Sequence, residues 1–210
     1  MDPTLVVIVL LALSAVGFHL GTRRAVAVAG GPRGIRTLHS RPPYYGLLTA
    51  IWTGLPALLI FGFWLAFEDT LITEMVVASL PAELRDVSAG RLNLLVNDIK
   101  NMVTGNIVSQ DVSPAMQAAA DRYRSLQSIS HAALAVVVLA LAVAGVAGTW
   151  RAISPGLRAR NQVETVVKGF LVLSSTIAIF TTLGIVLSVL FEALRFFQKV
   201  PLSEFLFGLQ

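Results

Sequence analysis

The chain has 210 residues, of which 55% are hydrophobic and 13% charged, and its mean hydropathy is +0.75. Soluble globular domains carry about 25% charged residues, so this composition excludes that class and predicts segments that lie in a membrane. The absence of cysteine excludes disulfides and thiolate metal sites. The net charge of +4 comes from basic residues beside the apolar runs, which indicates membrane orientation rather than a nucleic-acid partner.

Four apolar runs predict an all-α, polytopic membrane protein with about four transmembrane helices. A helix needs about 20 residues to cross a hydrocarbon core of about 30 Å. It is the only single segment that can do so, because lipid offers the backbone amides no partner. The last run is the clearest, since its 23 residues include no charged side chain. The predicted spans are residues 4–20, 44–67, 132–150 and 169–191.

The first run has two interpretations, a retained helix or a cleaved signal peptide. A signal peptide carries its basic residues before the apolar stretch. Here the chain starts with Met1-Asp2-Pro3, and Arg23 and Arg24 follow the apolar stretch. This order favours a retained helix whose N-terminus lies outside.

Basic residues in two loops predict the orientation of the helices. The loop after the first run holds five arginines and no acid, and residues 151–168 hold three arginines and a lysine. Residues 68–130 carry eight acids and five bases. Because cytoplasmic loops are enriched in Lys and Arg, we expect both basic loops in the cytoplasm and both termini in the periplasm, across a bacterial inner membrane.

This topology predicts a division of the chain into six parts. The expected parts are 1–67 (two helices joined by a basic loop), 68–130 (a periplasmic helical segment), 131–150 (third helix), 151–168 (basic loop), 169–195 (fourth helix) and 196–210 (periplasmic tail).

The residue pattern of the expected periplasmic segment, residues 68–130, predicts short helices rather than disorder. Its apolar residues recur at helical spacing, and Asp98 and Lys100 are expected on the polar side of the same helix. Ser113 before Pro114 is typical of a helix start, and Pro81 and Gly105 mark breaks. The segment is interpreted either as a docking surface for a soluble partner or as a folded connector that shields the ends of the spans. The apolar residues are Leu92, Leu95, Val96, Ile99, Met102 and Val103.

No residue pattern predicts a catalytic, cofactor-binding or metal site, and the chain is not expected to be an enzyme. The stretch from Gly30 to Gly34 lacks the Gly-Lys-Ser/Thr ending of a phosphate-binding loop, which favours a flexible basic loop. His19, His39 and His131 have no His, Cys or acid at the spacing of metal ligands, so we expect them at the membrane interface.

Small residues inside the spans predict close packing of helices, and Pro56 predicts a kink in the second span. In the fourth span an alternative is a polar lining for a substrate, although no charged residue accompanies the hydroxyls. The small residues are Gly17 and Gly21 in the first span, Ala140, Ala144 and Gly148 in the third, and Ser174, Ser175, Ala178, Thr181, Thr182 and Ser188 in the fourth.

Residues 160–208 carry a resemblance to a known family. Their motifs are Arg160-Asn161-Gln162-Val163-Glu164, Ser174-Ser175-Thr176-Ile177-Ala178-Ile179, Phe180-Thr181-Thr182-Leu183-Gly184-Ile185-Val186, Leu190-Phe191-Glu192, Phe196-Phe197, Val200-Pro201 and Glu204-Phe205-Leu206-Phe207-Gly208. This string resembles the first core helix of the PstC-type permease subunit of the bacterial phosphate ABC transporter. Residues 1–150 agree mainly in layout with an extra N-terminal membrane region of longer family members.

The resemblance implies a component of an inner-membrane importer of inorganic phosphate. The implied partners are a second permease subunit, a cytoplasmic ATPase that hydrolyses ATP, and a periplasmic phosphate-binding protein, besides membrane lipid. The rest of the permease core, with its coupling loop, would follow Gly208, so the chain is expected to be the N-terminal part of a permease. The alternatives are a non-transporting membrane adaptor and a nonfunctional permease fragment.

Overall fold

A computed structural model describes residues 3–85, 87–106 and 113–200, together with Phe205 and Gly208. Within these ranges the chain forms six α-helices and one 3₁₀ helix, and no strand, which confirms the all-α prediction. The α-helices are α1 (Pro3–Val28), α2 (Pro42–Ala78), α3 (Ala82–Arg85), α4 (Ala89–Thr104), α5 (Pro114–Ala152) and α6 (Ala159–Phe197), and the 3₁₀ helix is Pro32–Thr37.

Four of the described helices, α1, α2, α5 and α6, are long and apolar enough to cross a membrane. This finding confirms the four predicted spans, but the helices continue past the predicted ends. The 37 residues of α2 correspond to about 55 Å of helix, well beyond the thickness of a hydrocarbon core. Charged residues end an apolar run without ending the helix, because a helix that leaves the membrane keeps its own backbone hydrogen bonds.

The chain divides into two units, residues 1–160 and 161–210. In the first unit α1, α2 and α5 pack against one another, and α4 packs on α5. Two apolar clusters form its core. One lies among α1, α2 and α5 and includes Leu10, Phe61 and Val138. The other joins α2, α4 and the start of α5 and includes Val76 and Ile99. The second unit contains α6 from residue 161 onward.

Glycine allows the three packed helices to approach closely. A Cβ atom added at Gly21 would lie 2.8 Å from the carbonyl oxygen of Tyr45, and one added at Gly145 would lie 3.0 Å from the Cα of Thr53. The prediction of packing at Gly17 and Gly21 is thereby confirmed. The predicted row on the third span, Ala140, Ala144 and Gly148, lies exposed instead, because α5 approaches α2 through Gly145 on a neighbouring face.

The segment between the second and third spans begins and ends its helices where the sequence predicts. Gly105 follows α4 with φ +77°, a left-handed conformation that suits glycine at a helix end. The Ser113 hydroxyl accepts a hydrogen bond from the Met116 amide at 3.3 Å, as expected for an N-cap. Pro81 lies between α2 and α3. Pro56 lies inside α2, whose helical assignment continues through it, and the kink stays a prediction.

Asp98 is an exception to the predicted arrangement of α4. The sequence places it on the polar side, but its residue surface is only 1% exposed. Its position three residues after Leu95 and next to Ile99, both buried, puts it on the buried side of the helix. The polar side of α4 is therefore narrower than the sequence pattern indicates.

Candidate functional site

Polar side chains gather at two ends of the α1–α2–α5 bundle. We call the region around residues 64–73 and 123–131 the carboxylate end. The region around residues 20–45 and 150–160 is the arginine end. The carboxylate end joins α2 and α5 through side-chain hydrogen bonds, and the arginine end joins two loops through their backbones.

At the carboxylate end, Glu68 of α2 is 7% exposed and contacts two consecutive residues of α5. The Ser130 hydroxyl donates to Glu68 Oε1, and the Trp64 indole Nε1 donates to Ser130 Oγ at 2.8 Å. Nε2 of His131 lies 3.3 Å from Glu68 Oε2. A buried carboxylate requires such partners, so these contacts hold α2 and α5 in one register.

The structure pairs His131 with Glu68, an acid that local sequence spacing does not reveal. The expected place of His131 at the membrane interface stays a prediction. Glu68 and His131 are 63 positions apart in the chain, so local ligand spacing does not reveal the pair. A signal was nevertheless present. Glu68 directly follows one predicted span and Ser130-His131 directly precede the next, which puts all three at the same depth. The pair is two residues only, and no set of three or more His, Cys, Asp or Glu side chains comes together in the part of the chain that the structure describes.

A second polar contact at this end joins three helices through Asp69, which lies beyond the predicted span 44–67. Tyr123 of α5 donates to Asp69 Oδ1, and Lys100 of α4 donates to Oδ2, both at 2.8 Å. The hydrogen bond from Lys100, followed by that from Tyr123, lowers the pKa of Asp69. Burial and then the bond to Asp69 raise the pKa of Tyr123 to about 12, so the phenol keeps the proton that it donates.

At the arginine end, loop residues 38–41 are bound to the segment that follows α5. The His39 amide donates to the carbonyl of Pro155 at 2.8 Å, and the Arg160 amide donates to Ser40 Oγ at 3.2 Å. Tyr45 is buried, and its hydroxyl donates to the carbonyl of Leu157 at 3.0 Å. Hydrogen bonds therefore hold the two basic loops against each other.

The glycine-rich stretch at this end forms a turn and a short 3₁₀ helix, and its flexibility stays a prediction. Gly30 and Gly31 have φ of +80° and +96°, conformations that glycine adopts without steric cost. They turn the chain from α1 into the 3₁₀ helix, whose first residue is Pro32. No strand precedes the stretch among the described residues and no long helix opens at it, so it differs from a phosphate-binding loop.

The α6 surface contains the row of small and hydroxyl residues. Residues 167–192 are exposed throughout. The hydroxyls of Thr176, Thr181 and Thr182 each donate to the backbone carbonyl four residues earlier, at 2.8 to 2.9 Å. Because the hydroxyl donors of Thr181 and Thr182 are satisfied inside their own helix, these two positions of the row are compatible with an apolar neighbour.

The fold defines a multi-pass α-helical membrane protein. Residues 7–108 match the model of a family described as a phosphate ATP-binding cassette transporter, which confirms the resemblance to phosphate ABC transporters seen in the sequence. The match covers just under half of the chain, from α1 through α4. It falls on the region whose likeness is mainly in layout, whereas the sequence motifs lie in residues 160–208. Searches of curated proteins and of solved structures found no match.

Proposed function

We propose that the chain is the N-terminal membrane part of a PstC-type permease subunit, which imports inorganic phosphate across a bacterial inner membrane. The match of residues 7–108 to a phosphate transporter family is the observation that carries this proposal. The motifs of residues 160–208 support it from a separate part of the chain. In such an importer, ATP is hydrolysed by a cytoplasmic ATPase and phosphate is delivered by a periplasmic binding protein.

The proposed role of α6 is to pack against the rest of the permease. No residue in its most apolar window is buried, whereas the other three spans each bury about a quarter of theirs. Lipid alone tolerates an exposed apolar helix, but small and hydroxyl residues on one side favour close contact with another helix. The exposed row of α6 therefore supports a protein neighbour on that side.

The proposed role of residues 68–130 is a folded connector outside the membrane. Its buried cluster and the Asp69 contacts with Lys100 and Tyr123 support a rigid structure. Such a structure holds the outer ends of α2 and α5 at a fixed separation. We place it in the periplasm because the arginine-rich loops belong in the cytoplasm.

Purification of the tagged chain from native membranes tests the proposal. We expect a second permease subunit and a cytoplasmic ATPase to co-purify, and phosphate uptake to fall when the gene is deleted. A chain that purifies alone, together with unchanged uptake in the deletion strain, would contradict the transporter role. If deletion of residues 87–106 abolished capture of another protein while uptake was unchanged, the adaptor hypothesis would replace it.

A further inference from the structure

An apolar groove lies between α1 and α5 and ends at Trp150. Its volume is about 450 Å³ and its floor includes Thr53 of α2. The α1 wall repeats at three and four residues, so it forms one continuous side of that helix. The wall residues used below are Leu13, Val16 and Leu20 of α1 and Val143 and Ala147 of α5.

The distance along α1 from the start of the groove to Arg24 fits one leaflet of a bilayer. From Leu13 to Arg24 the helix advances eleven residues, or about 16 Å. A leaflet contributes half of a hydrocarbon core of about 30 Å. An acyl chain that lies along the groove therefore brings its headgroup to Arg24.

Arg24 lies four residues after Leu20 and contacts Trp150, which lines the groove. Its guanidinium carbon is 5.4 Å from the centre of the Trp150 ring, within the range of a cation–π contact. Its Nε is buried and has no hydrogen-bond partner among the described residues. A buried donor without an acceptor is unfavourable, and a guanidinium matches the oxygens of a phosphate in geometry and charge.

The segments that line the groove and form the arginine end carry no carboxylate in their sequence. Residues 3–67 and 122–163 contain no aspartate or glutamate, and these ranges include all of α1, the first basic loop and the end of α5. Ten arginines fall in the same ranges, and eight of them lie in residues 23–41 and 151–160. An anion that binds Arg24 must therefore come from outside these segments.

We propose that this groove binds one anionic phospholipid, with an acyl chain along α1 and α5 and the headgroup phosphate against Arg24. The adjoining apolar walls favour a lipid over free phosphate, because free phosphate leaves them empty. The site does not depend on the transporter role. Trp150 lies at the headgroup level, where aromatic rings are favoured.

Native mass spectrometry of the purified full chain in detergent tests the proposal. The probes are phosphatidylglycerol and phosphatidylcholine with identical acyl chains. We expect phosphatidylglycerol to bind about fivefold more tightly, the effect of one basic residue on an anionic lipid. The Arg24→Gln variant should lose this preference. Arg23→Gln is the matched control, since Arg23 is exposed and adjacent, and it should keep the preference.

A second pair of variants tests the acyl chain. Ala147→Phe fills the groove from an exposed position and should weaken binding of both lipids. Ala140→Phe, also exposed on α5 but outside the groove, should leave binding unchanged. If Arg24→Gln does not fold, Arg24→Lys keeps the charge without the planar donor group, and it should bind phosphatidylglycerol with reduced preference.

Three results would overturn the proposal. They are equal binding of the two lipids by the unmodified chain, equal loss of preference in Arg24→Gln and Arg23→Gln, and displacement of bound lipid by inorganic phosphate at millimolar concentration. The second result would indicate attraction by the whole basic surface. The third would indicate a site for free phosphate.

Discussion

The contacts of Glu68 show how a membrane helix carries a carboxylate at its end. Oε1 accepts from Ser130 and Oε2 faces His131, while the residue is 7% exposed. Each contact crosses from α2 to α5. Removal of the carboxylate leaves polar atoms of α5 unpaired in a region that water reaches poorly, which costs about 1–3 kcal/mol for each unsatisfied group.

We expect Glu68→Ala to lower the thermal unfolding temperature of the purified chain in detergent, because Ser130 and His131 lose their partner. The free energy of unfolding should fall by about 2 kcal/mol. Glu74→Ala is the matched control, since Glu74 is exposed on the same helix. Equal effects of the two substitutions would contradict a structural role for Glu68.

Sequence patterns predict single residues well only where the local pattern decides their environment. Ser113, Pro114 and Gly105 act at helix ends as predicted, because capping depends on the next few residues. Asp98 does not follow its prediction, and the contact of His131 with Glu68 was not predicted. Glu68 and His131 are 63 positions apart in the chain, and no local spacing contains that information.

At the scale of helices, the Asp69 contacts bind α2 to both α4 and α5. We call these two hydrogen bonds the Asp69 tie, and it requires an ionised Asp69. Because its pKa is lowered in the folded chain, the contribution is present above the usual pKa of an aspartate and is lost as pH falls through the lowered value. At neutral pH the tie is therefore complete, and Tyr123 donates as a neutral phenol.

We expect Tyr123→Phe to increase hydrogen exchange of the α4 amides about fivefold, because Asp69, the partner of Lys100 on α4, loses a hydrogen bond that contributes about 1 kcal/mol. Exchange of the α1 amides should not change. Tyr44→Phe is the control, because Tyr44 lies at the arginine end on α2. If α4 exchanges at the same rate in Tyr123→Phe and the unmodified chain, the tie does not hold α4 in place.

The approach of α1 to α2 depends on the absence of a side chain at Gly21. An alanine there would place its Cβ 2.8 Å from the carbonyl oxygen of Tyr45, which forces the helices apart. We expect Gly21→Ala to destabilise the chain by about 1–3 kcal/mol, measured by thermal unfolding in detergent. Gly62→Ala on α2, where an added Cβ meets nothing within 4 Å, should have little effect. Similar losses in both variants would indicate that crowding is not the cause.

The four long helices could be predicted because lipid requires uninterrupted apolar runs, which are visible in the sequence. The outer ends of α2 and α5 could not, since these helices continue into the cluster that they form with α4 outside the apolar runs. Gly145 was also missed. The regular spacing of small residues favours the row at Ala140, Ala144 and Gly148. The contact of Gly145 with α2 depends instead on how α5 is rotated about its axis.

At the scale of the whole molecule, the absence of cysteine makes the proposed orientation directly measurable. We expect Thr37→Cys and Ser154→Cys to be protected from a membrane-impermeant thiol reagent in intact cells. Asn93→Cys should be labelled. All three positions are exposed in the structure, so accessibility of the protein surface does not limit the reaction. Labelling of the first two positions, without Asn93, would reverse the orientation and remove the support for cytoplasmic arginines.

The proposed assembly with the rest of a permease can be tested on α6. Ser174, Ala178, Thr181 and Ser188 recur at four, three and seven residues and therefore share one side of the helix, and Leu183 lies on the opposite side. We expect Ala178→Phe to reduce the second permease subunit that co-purifies with the tagged chain. A bulky ring prevents the close approach that small residues allow.

Leu183→Phe is the matched control, because it adds a ring on the side expected to face lipid, where bulk is tolerated. Both positions are exposed in the chain alone, so neither substitution disturbs the core formed by α1, α2 and α5. A loss of the second subunit in Ala178→Phe but not in Leu183→Phe therefore reports contact between chains rather than misfolding. If both variants retain the second subunit, the small side of α6 is not the surface that meets it, and the exposed apolar helix is explained by lipid alone.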